Sequence, residues 1–226
     1  MRMFAAGPAT NIFAAIICLM FLGGLASQFV ATEDGVHVRG IVQDEGAYQA
    51  GLQPWDTIQY IDGQEISDVD AFYDAMEGYS ANDTIALTVK HSDGQVETLN
   101  ATLSDKYDYY LQLGWSKGNL ESIGVEKGQP FLGVEGLSGG TAGIDRLAGP
   151  LSPRWDGNLA QKSVMAPLHT LSLMIVPFEL QGVAMHPFEE SLLEAEDNVF
   201  AQTLGTSGLL FFVNLFFWLL WVNILL

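Results

Sequence analysis

The chain has 226 residues, with 27 acidic and 9 basic side chains and a formal net charge of -18 at pH 7. An excess of that sign repels phosphate and excludes a nucleic-acid partner; its spread over every polar segment reads as a solvating acidic surface suited to concentrated salt. The single cysteine, Cys18, excludes an internal disulfide framework and a cysteine-based zinc knuckle.

Residues 12–30 carry no charge, and residues 12–22 are continuously apolar. Opened by Pro8, this stretch has about the 20 residues that a bilayer-spanning helix needs. A cleaved leader is the competing reading, because Arg2 gives a basic flank and Ala26-Ser27 a small-residue step; Gly7, Pro8 and Asn11 stand where a leader is featureless.

Residues 34–104 have the rhythm of a small α+β domain. Val36 to Val42 alternates as a strand, Gly46 to Ala50 is a short helix stopped by Gly51, and Thr57 to Ile61 is a second strand ended by Asp62-Gly63, a tight-turn dipeptide. A helix follows, with Ser67 as its N-cap and Val69, Phe72, Tyr73 and Met76 on one apolar face. Ile85, Leu87 and Val89 alternate on a strand that turns at Ser92-Asp93-Gly94. Its partner places Leu99, Ala101 and Leu103 on one face, with Val96 out of phase, which predicts a bulge there.

Residues 105–162 are Gly-rich without a sustained period and read as an irregular segment, with short strands at 109–113 and 131–134. In residues 163–206 the apolar stretch 164–180 contains Pro167 and Pro177 and is barely long enough to cross a bilayer. It reads as re-entrant or interfacial, or as one leg of an extra pair of crossings. Residues 207–226 are uncharged, rich in Phe, Leu and Trp, and read as a second span.

The order strand, Ala50-Gly51-Leu52-Gln53-Pro54-Trp55-Asp56-Thr57-Ile58, Ile61-Asp62-Gly63, helix and hairpin resembles a PDZ domain of the circularly permuted bacterial and archaeal kind. Trp55 departs from the pattern, which usually has Gly there. The resemblance implies capture of an extended peptide beside a strand and against the helix of Val69, Phe72, Tyr73 and Met76. The nearest match to the terminal-carboxylate loop is Phe131-Leu132-Gly133-Val134, downstream of the domain; a Gly-containing strand end is the alternative there.

Ala6-Gly7-Pro8-Ala9-Thr10-Asn11 ahead of a PDZ domain is similar to the Gly-x-x-x-Asn helix of site-2 proteases, the intramembrane zinc metalloproteases. Gly7 would admit a neighbouring helix and Asn11 would need a polar partner in lipid; a helix cap with an interfacial Asn is the bland alternative. Leu147-Ala148-Gly149-Pro150 resembles the Gly-Pro step after the PDZ region, and 217–226 resembles the start of the family's Asn-x-x-Pro-x-Pro-x-x-Asp-Gly helix.

The resemblance implies a multi-pass cell-membrane protein in contact with lipid. Its fold class would be a membrane α-helical protein with an inserted α+β PDZ domain on the extracytoplasmic side. Its function would be cleavage of transmembrane protein substrates, with Zn2+ in the intact enzyme. His37, His91, His169 and His186 show no His-Glu-x-x-His spacing, and the neighbourhood of His169, His186, Glu189, Glu190 and Glu194 matches no ligand rule. No catalytic or metal residue is therefore assigned to these 226 residues, which read as an internal fragment that is inactive alone. The alternative is a non-catalytic, membrane-anchored PDZ adaptor that binds peptide ends.

Overall fold

The computed structural model describes residues 6–226, apart from the side chains of Ala6 and Pro8. In chain order the elements begin with α1 (Ala6–Ala26), β1 (Phe29–Ala31), β2 (Val36–His37), β3 (Gly40–Ile41), α2 (Gly46–Ala50), β4 (Thr57–Ile61), β5 (Gln64–Glu65) and α3 (Val69–Met76). Next come β6 (Thr84–Lys90), β7 (Val96–Thr102), β8 (Ser104–Asp105), α4 (Lys106–Gln112), α5 (Lys117–Ser122), β9 (Pro130–Phe131) and β10 (Val134–Glu135). The last are α6 (Ala142–Ala148), a 3-10 turn (Gly149–Leu151), α7 (Leu159–Ser172), α8 (Val176–Glu179), α9 (Pro187–Ser191), β11 (Leu193–Ala195) and α10 (Val199–Leu225). They form two compact units, one of Met1–Thr32 with Gly140–Leu226 and one of Glu33–Gly139.

The helical unit is built on α1 and α10. Strand β1, directly after α1, pairs antiparallel with β11, directly before α10, so the first helix ends where the last begins. The two then run antiparallel, with Ala15, Cys18, Leu19 and Leu22 sharing one buried cluster with Leu209, Val213, Phe217 and Leu220. The rings of Phe21 and Phe216 stack at 4.5 Å. Pro8 falls in the first turn of α1, where no intrahelical N–H bond is lost. Gly205, at φ 68° and ψ 168°, redirects the chain inside α10, a conformation that glycine adopts without steric cost. Residues 9–26 and 199–225 are each long and apolar enough to cross a membrane.

The other unit is a five-stranded antiparallel sheet in the order β2-β4-β6-β7, with β5 added on β4 and α3 alongside. Ile58, Ile61, Ile66, Ile85, Leu87 and Leu103 are fully buried, each worth about 1.5–3 kcal/mol of apolar transfer. Asp62 and Gly63 both take positive φ, 47° and 81°, as a type I′ hairpin between β4 and β5 requires. Gly51 stops α2 at φ 93°, as the sequence predicts.

Three expectations are corrected. Asp68, not Ser67, caps α3: its carboxylate accepts from the Ala71 N–H at 2.8 Å, while the Ser67 hydroxyl is turned onto Asp68 itself. No bulge occurs at Val96, since β6 and β7 pair without interruption from Thr84 with Thr102 to Lys90 with Val96. The register shift lies between Ile58 and Tyr60 of β4. Residues 109–113 fall in and after helix α4 instead of a strand, with the Asp105 side chain accepting from Tyr107 at its start. Beyond 104, β9 and β10 pair back onto β8 and β3 and bring 130–138 into the same compact unit.

Candidate functional site

The Ala-Gly-Leu-x-Pro-x-Asp stretch leads into β4, beside the edge strand β2. Asp56 is 1% exposed, and its carboxylate accepts from the Gln53 N–H at 2.8 Å and lies 3.0 Å from His91 Nδ1. The hydrogen bond to Asp56 raises the His91 pKa above its usual value, with Glu97 adding to it, so the protonated ring is favoured beside the buried carboxylate. Trp55 takes φ 74°, a left-handed conformation costly to any residue but glycine, which explains the usual Gly there; its ring lies under the Arg39 guanidinium at 5.8 Å.

Above this edge, 130–138 lies on the strands that open the unit. Val134 pairs with Ile41, Glu135 with Gly40, and His37 and Ser138 exchange backbone hydrogen bonds of 2.8 and 3.1 Å. Among the described residues, Leu137 makes no backbone hydrogen bond, leaving a length of edge to which an added strand can pair. Gly133 permits the sharp step into this strand, because at φ 84° a Cβ would collide with Glu45.

The same unit holds a cavity of about 600 Å³. One wall is the end of α3, contributed by Tyr73, Met76 and Glu77, with Tyr79 beyond it; the other is the loop Glu126 to Pro130, with Lys106 at the rim. Backbone bonds fix the loop: Ala81 N–H donates to the Gly128 carbonyl at 3.0 Å, Lys106 N–H to the Gln129 carbonyl at 2.9 Å, and Gly128 N–H to Asp105 Oδ2 at 2.9 Å. Tyr79 donates to Asp62 at 2.7 Å, which pushes its own pKa up to about 12 and holds the Asp62 carboxyl below its usual range together with the Ala86 N–H. Lys106 and Lys127 bring two of the chain's 9 cations to one cavity, beside an apolar floor at Met76.

Of the residues expected in a groove, Tyr73 and Met76 line this cavity. Phe72 is buried in the sheet core and Val69 is half-buried against it. Leu132 is also core, Val134 is half-buried, and Phe131 stacks on Tyr109 at 4.5 Å. The Lys127-Gly128-Gln129-Pro130 rim was not foreseen; its signal is a basic residue and a turn directly ahead of Phe131-Leu132-Gly133-Val134 in an acidic chain. In the helical unit Asn11 is half-buried and Gly7 is exposed, with no atom within 4 Å of the place a Cβ would take. The close approach on α1 is made by Gly23 instead, where a Cβ would stand 2.7 Å from Leu151 Cβ. The Pro8 side chain lies outside the described residues.

The zinc that the resemblance implies finds no fitting ligand set. Among the described residues no group of three or more His, Cys, Asp or Glu side chains is placed to hold a metal ion. His37 and His91 serve the sheet, His169 packs on Gly149, and His186 caps α9.

Residues 23–103 match the PDZ-domain family, so the chain contains a PDZ domain. Among solved structures it is similar to the PDZ domain of an SdrC-like protein from Listeria monocytogenes, at 24% identity over 47% of this chain and 90% of that one, TM-score 0.34. It is also similar to an HtrA-type protease solved with a decapeptide, at 31% identity over 31% of this chain and 21% of that one, TM-score 0.29. No match is found among curated proteins.

Proposed function

We propose that this chain captures the ends of extended polypeptides at its PDZ groove while α1 and α10 hold it in a membrane as a multi-pass protein. The observation that carries the proposal is the α3 cavity lined by Tyr73, Met76, Lys106 and Lys127, in the unit whose strand edge is unbonded at Leu137. The edge supplies backbone partners, Met76 an apolar floor for a terminal side chain, and the two lysines compensation for a terminal carboxylate. That 130–138 is last in the unit yet pairs with its first strands supports the circularly permuted reading. Fluorescence anisotropy of short apolar-ended peptides tests this: a free terminus should bind and its C-terminal amide should bind at least about tenfold more weakly. Lys127→Glu should remove that preference, and equal binding of acid and amide by the unaltered protein would refute the assignment.

The finer reading is that the groove selects substrates for a membrane-embedded zinc endopeptidase of the site-2 type, with the groove outside the cytoplasm. What supports it is the antiparallel α1–α10 pair, which sets the Asn11 end of one helix alongside the Asn223 end of the other. In this reading the metal ligands and the general base belong to polypeptide other than these residues, and Gly7 and Asn11 border the cleft without touching the metal. Zinc content and cleavage of a single-span reporter by the whole gene product separate it from the adaptor: stoichiometric zinc with cleavage supports the protease, and peptide capture with neither supports the adaptor.

A further inference from the structure

The helical unit contains a segment that a soluble domain would not leave as it is. Between Lys162 and Glu179 there is no Asp, Glu, Lys or Arg, although 27 of the 226 residues are acidic. The outward side of α7 and its continuation instead carries Val164, Leu168, Leu171, Ile175 and Phe178, from 54% to 78% exposed. A water-facing helix places charge there, whereas a lipid-facing one places such a row.

The hydroxyls of the same helix are satisfied within it. Ser163, Thr170 and Ser172 each donate to a carbonyl of their own helix at 2.8 Å, those of Leu159, Ala166 and His169. His169 is seated on Gly149, near the Leu147 carbonyl. Hydroxyls satisfied within one helix make it compatible with a medium that offers no hydrogen bonds.

Both ends of the segment are fixed at the Ala26 end of α1. Ahead of α7, the Arg154 guanidinium donates to the carbonyls of Ala26 and Phe29 and pairs with Asp145 at 3.0 Å. After α9, Leu193–Ala195 pairs with Phe29–Ala31. In between, the turn is tied to the side of α10, where Trp221 Nε1 donates to the Met174 carbonyl at 3.1 Å and the Phe178 and Trp221 rings lie 6.3 Å apart. At the mouth, Lys162 lies over the Trp155 ring at 5.9 Å, an aromatic and basic pair of the kind found at a bilayer interface.

We infer that residues 158–192 form a re-entrant hairpin set into the bilayer. The exposed apolar row lies against acyl chains, and the chain emerges on the side from which it entered. This rests on reading α1 and α10 as spans, with which the row is continuous through the Trp221 contact.

The test uses the full chain with Cys18→Ala in phosphatidylcholine vesicles whose acyl chains carry bromine, a contact quencher of bimane. Bimane is placed at one new cysteine at a time: Leu168, Phe178, Phe13 on the exposed side of α1, or Val96 on the sheet. Leu168 and Phe178 should lose most of their emission, as Phe13 does, while Val96 keeps it. Cysteines at Asp156 and Glu194, both exposed, should react with an impermeant maleimide from the same side of sealed vesicles. Quenching at Phe13 without quenching at Leu168 and Phe178 overturns the hairpin alone, as does labelling of 156 and 194 from opposite sides. Emission preserved at Phe13 as well overturns the spans beneath it. A circular dichroism spectrum matching that of the unaltered chain confirms that each labelled variant has folded.

Discussion

Two histidines of the sheet respond to pH in opposite directions. His37 is buried and hydrogen-bonded to the Thr57 hydroxyl at 2.7 Å, and burial pulls its pKa down to about 4. Its neutral form is the one the fold accepts, so its contribution is full above about 6.5 and falls as pH drops from there towards about 4. His91 is the reverse. Its pKa is raised by Asp56, so its contribution is full below its unfolded value and is lost as pH rises through the elevated one. Urea unfolding should show His91→Gln costing stability at pH 6 and progressively less as pH is raised, whereas wild type weakens from pH 6.5 to 4. At Trp55 the backbone and side chain can be separated: Trp55→Gly and Trp55→Ala both lose the Arg39 contact, but only glycine tolerates φ 74°. The glycine variant should be the more stable by about 1 kcal/mol in thermal or urea unfolding.

At the scale of elements, α3 depends on a cap that its sequence offers twice. Asp68 holds the Ala71 N–H, and that bond lowers the Asp68 pKa. Asp68→Ala should cost about 1 kcal/mol in urea unfolding, whereas Ser67→Ala should cost little. Elements with a sustained period or a firm stop were legible in the sequence: α1, α10, α3 with its apolar face, β6 and β7 by alternation, and the Gly51 and Asp62-Gly63 turns. Those defined by partners were not. Helices α4 and α5 are too short to show a period, and Tyr109 and Tyr110 there carry strand propensity that packing on Phe131 and Trp115 overrides. Strand β10 is two residues long and exists because Gly40 and Ile41 lie opposite. The α3 wall of the cavity was legible in the sequence and its loop wall was not, for the same reason. Asp105 and Ala81 fix the loop from more than 20 residues away, and local sequence does not encode that contact.

Over the whole molecule, charge is unevenly shared. Nineteen of the 27 acidic residues lie in Glu33–Gly139, against five basic ones. Such a surface repels itself and is relieved by screening, so the melting temperature of this unit should rise as salt is raised from roughly 0.1 M to multimolar, where the Debye length falls to about 3 Å or less. A flat or falling melting curve would argue against repulsion as the controlling force. Screening should act oppositely on peptide capture, since Lys106 and Lys127 attract a carboxylate less well across an ionic solution.

The His37–Ser138 bridge closes the sheet unit almost where it is joined to the rest of the chain, a few residues from Glu33 and from Gly139. A module whose two strings leave from one knot can be lifted out, replaced by a short loop or exchanged for a relative without stretching what it hangs from. Pulling on those strings would load that knot first, peeling the domain open from its seam while its hydrophobic interior is still intact.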